Sequence, residues 1–442
     1  MYKTVKFGGS SLADAAQFQK VKEIILSDSD RRYVVVSAPG KRYKGDEKIT
    51  DMLYQCQALA QSGAPFDNLF RRITRRYVQI RDTLHLSTDI ESELSDIYHN
   101  LVSGASADYA ASRGEYLNAK LMSDYLGFPF VDASELICFH NDGIYDDEAT
   151  QSRTRKLKKL DRAVIPGFYG KRPDGSIRTF SRGGSDITGA IVARATESSL
   201  YENWTDVDGF MMADPRIIPE AKVIDTVTYS ELRELSYMGA TVLHEDSIFP
   251  VRKARIPIHV RNTNHPEARG TLIVPDSMVR NQQRQCPVTG IAGSRGFTVI
   301  TLAKDNLNAE TGFVYRLLGI FARHRVDIET VPCGIDIVSI VVSDAALKGK
   351  MDAIYHDIMT ECSPDTVEIA SCIALIATVG TGMVRVKGVA ARLFDALSQA
   401  GINVRTIDQG IDEMNLIVGV EQRDYEATIR AIYDAFVDFK VS

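Results

Sequence analysis

The feature that most restricts how this chain folds is a repeat in its last third. Placing Phe297 on Ile373, an offset of 76 residues, brings Gly312 onto Gly388, Arg316 onto Arg392 and Leu317 onto Leu393. The same shift sets Val326 on Ile402, Ile328 on Val404 and Thr330 on Thr406. Each copy reads as a strand (297–303 and 373–379), a Gly, an amphipathic helix (313–324 and 389–400) and a second strand (326–331 and 402–407). A third strand (337–342 and 414–420) and another helical segment (near 346–360 and 424–437) follow. Two copies are too few for a solenoid. The pattern predicts a pair of small α+β modules with helices on one sheet face.

The N-terminal part has a different rhythm. Thr4 to Phe7 reads as a strand ending in Gly8-Gly9-Ser10-Ser11, and Phe18, Val21, Ile24 and Ile25 then mark one face of a helix. The continuous apolar run from Tyr33 to Ala38 fits a strand covered on both faces, as in a parallel sheet. Strand, Gly-rich turn, helix, strand is the α/β order. Residues 51–126 are helical in character, and the charged, amphipathic stretch 66–101 has no assigned role. Further strands are expected at 130–132, 162–165 and 201–204, with helices at 185–195 and 229–235. Residues 257–261 read as the last strand of this part, and the polar stretch 275–287 as a linker. The expected domains are 1–275, 288–370 and 371–442, the last two able to share strands.

A length of 442 residues agrees with about three domains at roughly 150 residues each. The 52 Lys plus Arg against 58 Asp plus Glu give a net charge of -6, which argues against a bulk nucleic-acid binder. No run of 18 apolar residues occurs, and MYKTVKFGG lacks a signal core, so neither membrane insertion nor secretion is expected. Six Cys without a CxxC pair, and 8 His without HExxH, fit a cytoplasmic chain with reduced thiols and no protein-held metal.

Four motifs carry chemistry. Lys6 to Ser11 (KFGGSS) sits between a strand and a helix. Its glycines admit a phosphate close to the backbone, a helix N-terminus favours an anion, and Lys6 adds a point charge. A tight turn with a surface Lys is the plainer alternative. Ser181 to Asp186 (SRGGSD) is a second such turn, in which Arg182 offers a fork for a carboxylate. Ser185 or Asp186 as a simple helix cap competes with that reading. Together the two turns suggest a site holding two anionic groups head to head. Asp206 or Asp208, in Trp204 to Gly209 (WTDVDG), and Arg216, in Asp214-Pro215-Arg216, suit a nucleotide, or else an ordinary turn and a solvated Arg. Glu115, in Arg113-Gly114-Glu115, reads as a residue at a helix start that caps it or receives an amino group. Nothing resembles a Ser-His-Asp or Cys-His arrangement. The set describes phosphoryl transfer, which rests on positioning and charge neutralisation.

In this order, with GATVLH at 239–244 and GVAARLFDALSQAGINVRTI at 388–407, these motifs resemble aspartate kinase of the amino acid kinase superfamily. The resemblance implies a three-layer α/β sandwich with a mainly parallel central sheet, followed by two ferredoxin-like ACT domains. It implies ATP-dependent phosphorylation of the L-aspartate β-carboxylate to 4-phospho-L-aspartate, the first step toward lysine, threonine and methionine. Lys6 and Asp186 would be catalytic. Gly8, Gly9, Ser10, Thr205, Asp206, Phe210, Met211, Asp214 and Arg216 would meet the nucleotide, which carries Mg2+. Arg182 would take the α-carboxylate of aspartate, Glu115 its α-amine, and Ser37 and Thr50 its β-carboxylate, with Phe168, Gly183 and Ser185 around them. Leu307, Glu310, Phe313, Val314 and Asp327 would receive lysine or threonine as an effector, in a homodimer or homotetramer joined through ACT domains. The sequence departs from relatives at Thr241, where a Lys is common, and at Glu245. A catalytically impaired amino-acid sensor and another amino acid kinase relative are the alternatives. A bifunctional relative is not expected, since no dehydrogenase segment follows Ser442.

Overall fold

The structure is a computed structural model that describes residues 2–181, 183–240, 243, 245–279, 286–410 and 413–439. Its chain divides into two units, the first made of Met1–Phe210, Val223–Tyr229 and Thr241–Asn281, the second of Met211–Lys222, Ser230–Ala240 and Gln282–Ser442.

In the first unit the strands are β1 (Lys3–Phe7), β2 (Arg31–Val36), β3 (Ala163–Pro166), β4 (Tyr169–Lys171), β5 (Ile177–Thr179), β6 (Leu200–Thr205), β7 (Thr226–Thr228), β8 (Ile258–Asn262) and β9 (Thr271–Val274). Seven of them form one sheet in the order β3-β2-β1-β6-β8-β9-β7. β3, β2, β1, β6 and β8 are parallel neighbours, and β9 runs antiparallel to β8. So 257–261 is a strand but not the last one. Residues 130–132 make only an isolated bridge, Phe130 to Val164.

β2 shows why the sheet is covered on both sides. Val34 and Val36 enter an apolar cluster with Val5, Phe7 and Trp204. Tyr33 and Val35 enter the cluster of Ile165, Ile191 and Val192 on the other face. An alternating pattern could not fill both. The first cluster is roofed by α1 (Ala15–Leu26), α2 (Ile49–Gln61), α3 (Asp67–Leu84), α4 (Ile90–Val102) and α5 (Ala107–Leu126). α6 (Asp147–Thr154) follows, and α7 (Gly184–Ala195) supplies Ile191 and Val192 to the second. The stretch 66–101 is therefore α3 and α4; in α3, Phe70, Ile73, Tyr77 and Ile80 recur at helical spacing on the buried side. No helix among the described residues is long and apolar enough to cross a membrane.

In the second unit β10 (Gly290–Ala303), β11 (Ile337–Ser343), β12 (Thr366–Val379), β13 (Val404–Gln409) and β14 (Asn415–Glu421) form a single sheet, β11-β10-β12-β14-β13. The two repeats share it because β10 and β12 are long and pair antiparallel, from Gly290 opposite Val379 to Ala303 opposite Thr366. The expected strand 326–331 is reduced to bridges at Thr330 and Cys333. Pro332 lies between them with no N–H to donate, so the ladder with β11 breaks there. Its counterpart in the second repeat is β13, which pairs with β14 with one register shift between Val404 and Thr406. Within the 275–287 stretch, read as a linker, Asp276–Val279 form a short helix, and 280–285 lie outside the described residues.

Candidate active site

In the first unit the chain builds β1, β2 and β3 outward in one direction and returns to place β6 on the other side of β1. At such a switch point a crevice opens beyond the carboxyl ends of the strands. A cavity of about 500 Å3 lies there. Lys6, Gly8, Gly9 and Ser10 line it from β1, Ser37 to Lys41 from β2, and Asn203, Thr205 and Asp206 from β6. Lys48 and Thr50 at the start of α2, Glu115, Asp186, Leu243 and Val260 complete it.

The turn after β1 differs from expectation in one respect. Gly8 N–H donates to the Trp204 carbonyl at 3.0 Å, and Ser10–Leu12 then forms a single 3-10 turn rather than the start of α1. α1 begins at Ala15, and the Asp14 carboxylate caps it by accepting from Gln17 N–H at 3.0 Å. Its N-terminus is therefore occupied by an anion of the chain itself. What Gly9 permits is a close crossing of loops. A Cβ there would stand 2.9 Å from the Ala38 carbonyl oxygen and 3.3 Å from Gly40 Cα, while Gly40 N–H donates to the Gly9 carbonyl at 2.8 Å.

Lys6 is the central cation. Its Nζ lies 2.6 Å from Asp186 Oδ1 and 3.4 Å from Asn203 Oδ1. The Asn203 amide donates to the same Asp186 oxygen at 2.8 Å. Asp186 comes from the first turn of α7, whose N-cap, Gly183, has φ of 57° and makes no side-chain capping bond. Asn203 was not expected from sequence; its signal is a fully polar amide in an otherwise buried strand position.

Glu115 sits inside α5, not at its start. α5 begins after Ser106, whose hydroxyl accepts from Tyr109 N–H, and runs unbroken through Gly114. A Cβ on Gly114 would lie 2.8 Å from Ala38 Cβ, so the glycine lets the helix press against the end of β2. The Glu115 side chain is 5% exposed and its Oε2 has no hydrogen-bond partner. Burial pushes its carboxyl up to about 8, opposed by backbone hydrogen bonding at Ala38 and by Arg113. One turn on, Asn118 donates to the Ser37 carbonyl at 2.7 Å, fixing α5 to the loop that carries Ser37.

The remaining residues divide. Phe168, Gly183 and Ser185 gather at the start of α7 and do not line the cavity. Phe168 holds φ of 81°, with its N–H donating to Thr188 Oγ1 at 3.1 Å. Arg182 and Thr241 lie outside the described residues. Phe210 does not line the cavity: it is 2% exposed and belongs to the core, and its N–H donates to Thr271 Oγ1 at 2.8 Å. Met211, Asp214 and Arg216 fall in the second unit. There the Asp214 carboxylate accepts from Arg216 Nη2 at 2.6 Å and from its backbone N–H at 2.9 Å, so the pair closes on itself as a turn. Asp208 accepts from Asn262 Nδ2 at 2.7 Å. Lys41 and Lys48, not singled out from the sequence, also line the cavity.

Of the effector candidates in the second unit, Leu307 and Phe313 have buried side chains. Both are core residues packed with Leu317, Ile320 and Phe321. Glu310 is held below the usual carboxylate range by Lys304, 2.6 Å away, with Arg316 beside it. Val314 is half-buried and Asp327 exposed.

Comparison with known proteins gives a consistent picture. Residues 1–262 match the amino acid kinase family, and residues 376–436 match an ACT domain. Aspartokinase 3 of Bacillus subtilis is 37% identical over 457 residues, 98% of this chain and 98% of that protein. The aspartate kinase of Clostridium acetobutylicum is similar in structure with a TM-score of 0.92 and 49% identity, covering 98% of this chain and 100% of that one. Aspartokinase III of E. coli, solved with aspartate and ADP, gives 0.74 at 25% identity over 99% of this chain and 100% of that one. Its complex with lysine and aspartate gives 0.71 at 26% identity with the same coverage.

Proposed function

The chain belongs to the amino acid kinase family and, within it, to the aspartokinases, which are phosphotransferases, and we propose that its cavity transfers the γ-phosphoryl group of ATP to the β-carboxylate of L-aspartate. One observation carries this reading. Lys6, paired with Asp186 and Asn203, shares a single cavity with the Gly8–Ser10 turn and with Ser37, Thr50 and Glu115.

The β-carboxylate of aspartate is ionised at neutral pH, so the reaction needs no general base. A carboxylate oxygen attacks the γ-phosphorus, the bond to the β,γ-bridging oxygen breaks, and ADP leaves with 4-phospho-L-aspartate remaining. Lys6 neutralises charge that builds on the phosphates. Gly8 and Gly9 offer the backbone approach, and Thr205 and Asp206 meet the nucleotide, which brings Mg2+ with it as part of the substrate. Buried Glu115 receives the α-ammonium of aspartate, and Arg182 its α-carboxylate. Ser37 and Thr50 flank the reacting carboxylate.

The regulatory reading is proposed on the same footing. The ACT modules bind an end-product amino acid, and lysine is favoured because E. coli aspartokinase III was solved with it. Asp327, exposed just beyond helix Phe313–Arg323, is the ligand for its amine, and Glu310 and Val314, around the start of that helix, are assigned to the rest of the effector. The corresponding assembly is a homodimer or homotetramer through these modules, acting at the head of lysine, threonine and methionine synthesis.

The test is aspartate-dependent ADP formation by the full chain, repeated with lysine, threonine and both. Turnover that an end product suppresses is expected. Tight lysine binding without any turnover on aspartate would sink the enzyme reading.

A further inference from the structure

α3 carries a residue that its packing role does not explain. Among Phe70, Ile73, Tyr77 and Ile80 on its buried side stands Arg76, only 5% exposed. Burying a guanidinium is costly unless every contact it makes is satisfied, and an aliphatic residue would fill the same space. Its hydrogen bonds run to segments that shape the cavity. Nη1 donates to the Gly40 carbonyl at 3.1 Å and to the Ala13 carbonyl at 3.2 Å, and Nη2 donates to Asp46 Oδ2 at 2.8 Å.

Each acceptor has a consequence for the cavity. Gly40 is hydrogen-bonded to Gly9, the residue that crosses under the loop. Ala13 directly follows the 3-10 turn that continues from Gly9. Asp46 accepts from Arg42 through its backbone N–H at 3.1 Å, Nε at 2.8 Å and Nη2 at 3.1 Å, closing the loop on itself. Between them runs the segment 38–48, which places Ala38 to Lys41 and Lys48 on the cavity wall.

We propose that Arg76 is a positioning residue for phosphoryl transfer, holding the 38–48 loop and the turn after β1 in the one arrangement that brings Lys41 and Lys48 to the same cavity as Lys6. This rests on the reading of that cavity as the phosphoryl-transfer site. A planar fork reaches three acceptors at once, which a Lys ammonium on a flexible stem does not reproduce. The helical stretch 66–101 thereby has a function beyond roofing the sheet.

The experiment compares the full chain with Arg76→Met, Arg76→Lys and Asp46→Asn, reading kcat and KM for both substrates, together with amide hydrogen exchange. Misplacement of reacting groups by about 1 Å costs on the order of 10²-fold, so kcat of Arg76→Met is expected to fall by about that factor, with a smaller change in KM for aspartate. Arg76→Lys falls between it and the parent. Faster exchange is expected at 8–14 and 38–48 while β1, β2 and β6 stay protected. Arg76→Met turning over within about threefold of the parent would overturn the proposal, as would parental exchange in the two segments or protection lost evenly over the unit. If Arg76→Met does not fold, Asp46→Asn decides, because it keeps the guanidinium and loosens only the loop. Parental exchange at 38–48 in that variant would also overturn the proposal. Exchange does not need turnover, so a parent inactive on aspartate would reject the assigned reaction without deciding the clamp.

Discussion

Lys6 Nζ and Asp186 Oδ1 lie 2.6 Å apart at the wall of the cavity, with their side chains only 9% and 18% exposed. The lysine is thus held in place before any phosphate arrives, and the Asn203 amide keeps the carboxylate from turning away. Preorganised charge of this kind acts without rearrangement at the moment of transfer. Lys6→Ala is expected to lower kcat by about 10²–10³-fold. Steady-state ADP formation checks this, and activity surviving within about tenfold would remove the role assigned to Lys6.

Glu115 makes the protein sensitive to pH in a defined direction. Burial raises its carboxyl to about 8 in the folded chain, from 4.5. Between those values the folded state binds more protons than the unfolded one, so this residue's contribution to stability falls as pH rises through that window. Glu115→Gln is expected to flatten that slope in denaturant unfolding measured at pH 6 and near 8. A substrate ammonium favours the ionised form, so affinity for aspartate is expected to rise as pH approaches 8. In Glu115→Gln, KM for aspartate is expected to rise by about tenfold or more, with little dependence on pH over this range, as a charged hydrogen bond is lost.

The two glycines after β1 are not equivalent. A Cβ on Gly8 would meet ordinary contacts, 3.5 Å to the Trp204 carbonyl oxygen and 3.6 Å to Lys6 Nζ. One on Gly9 would come to 2.9 Å from the Ala38 carbonyl oxygen, where backbone has to move. Gly9→Ala is therefore expected to lower the melting temperature, and Gly8→Ala to leave it close to the parent's. Equal melting temperatures for the two variants would contradict the crossing of loops described above.

Glu202 illustrates a buried charge whose role is structural. It is 2% exposed, accepts from Arg31 Nε at 2.8 Å and from Trp204 Nε1 at 2.9 Å, and lies 3.7 Å from Lys3 Nζ. Removing one partner of such a pair costs about 3–5 kcal/mol, because the other charge is left buried. Glu202→Leu is expected to destabilise the first unit by about that amount, read as the shift in its denaturant midpoint. Glu202→Gln, which retains an acceptor for Trp204, should cost less.

Much of the frame was legible in the residues themselves. Tyr33 to Val36 marked a strand buried on both faces because every position is apolar, and the 76-residue offset disclosed two related modules. Lys6, Gly8, Gly9, Ser10, Ser37, Thr50, Glu115, Asp186, Thr205 and Asp206 were expected near a substrate and do line one cavity. Leu307, Phe313 and Phe210 stand in the motif positions, but motif position does not report which way a side chain turns, and all three turn into a core.

The sequence by itself determined the classes of structure: a parallel α/β sheet with Gly-rich turns, followed by a duplicated α+β module. Local periodicity and turn chemistry suffice for that, because they act over a few residues. Tertiary structure alone decided that the two modules share one sheet through β10 and β12. It also decided that Glu115 loses its water inside α5, and that Arg76 reaches Gly40, Ala13 and Asp46 from a distant helix. Burial and long-range hydrogen bonds belong to no single segment; they arise only when segments far apart in the chain are packed against one another.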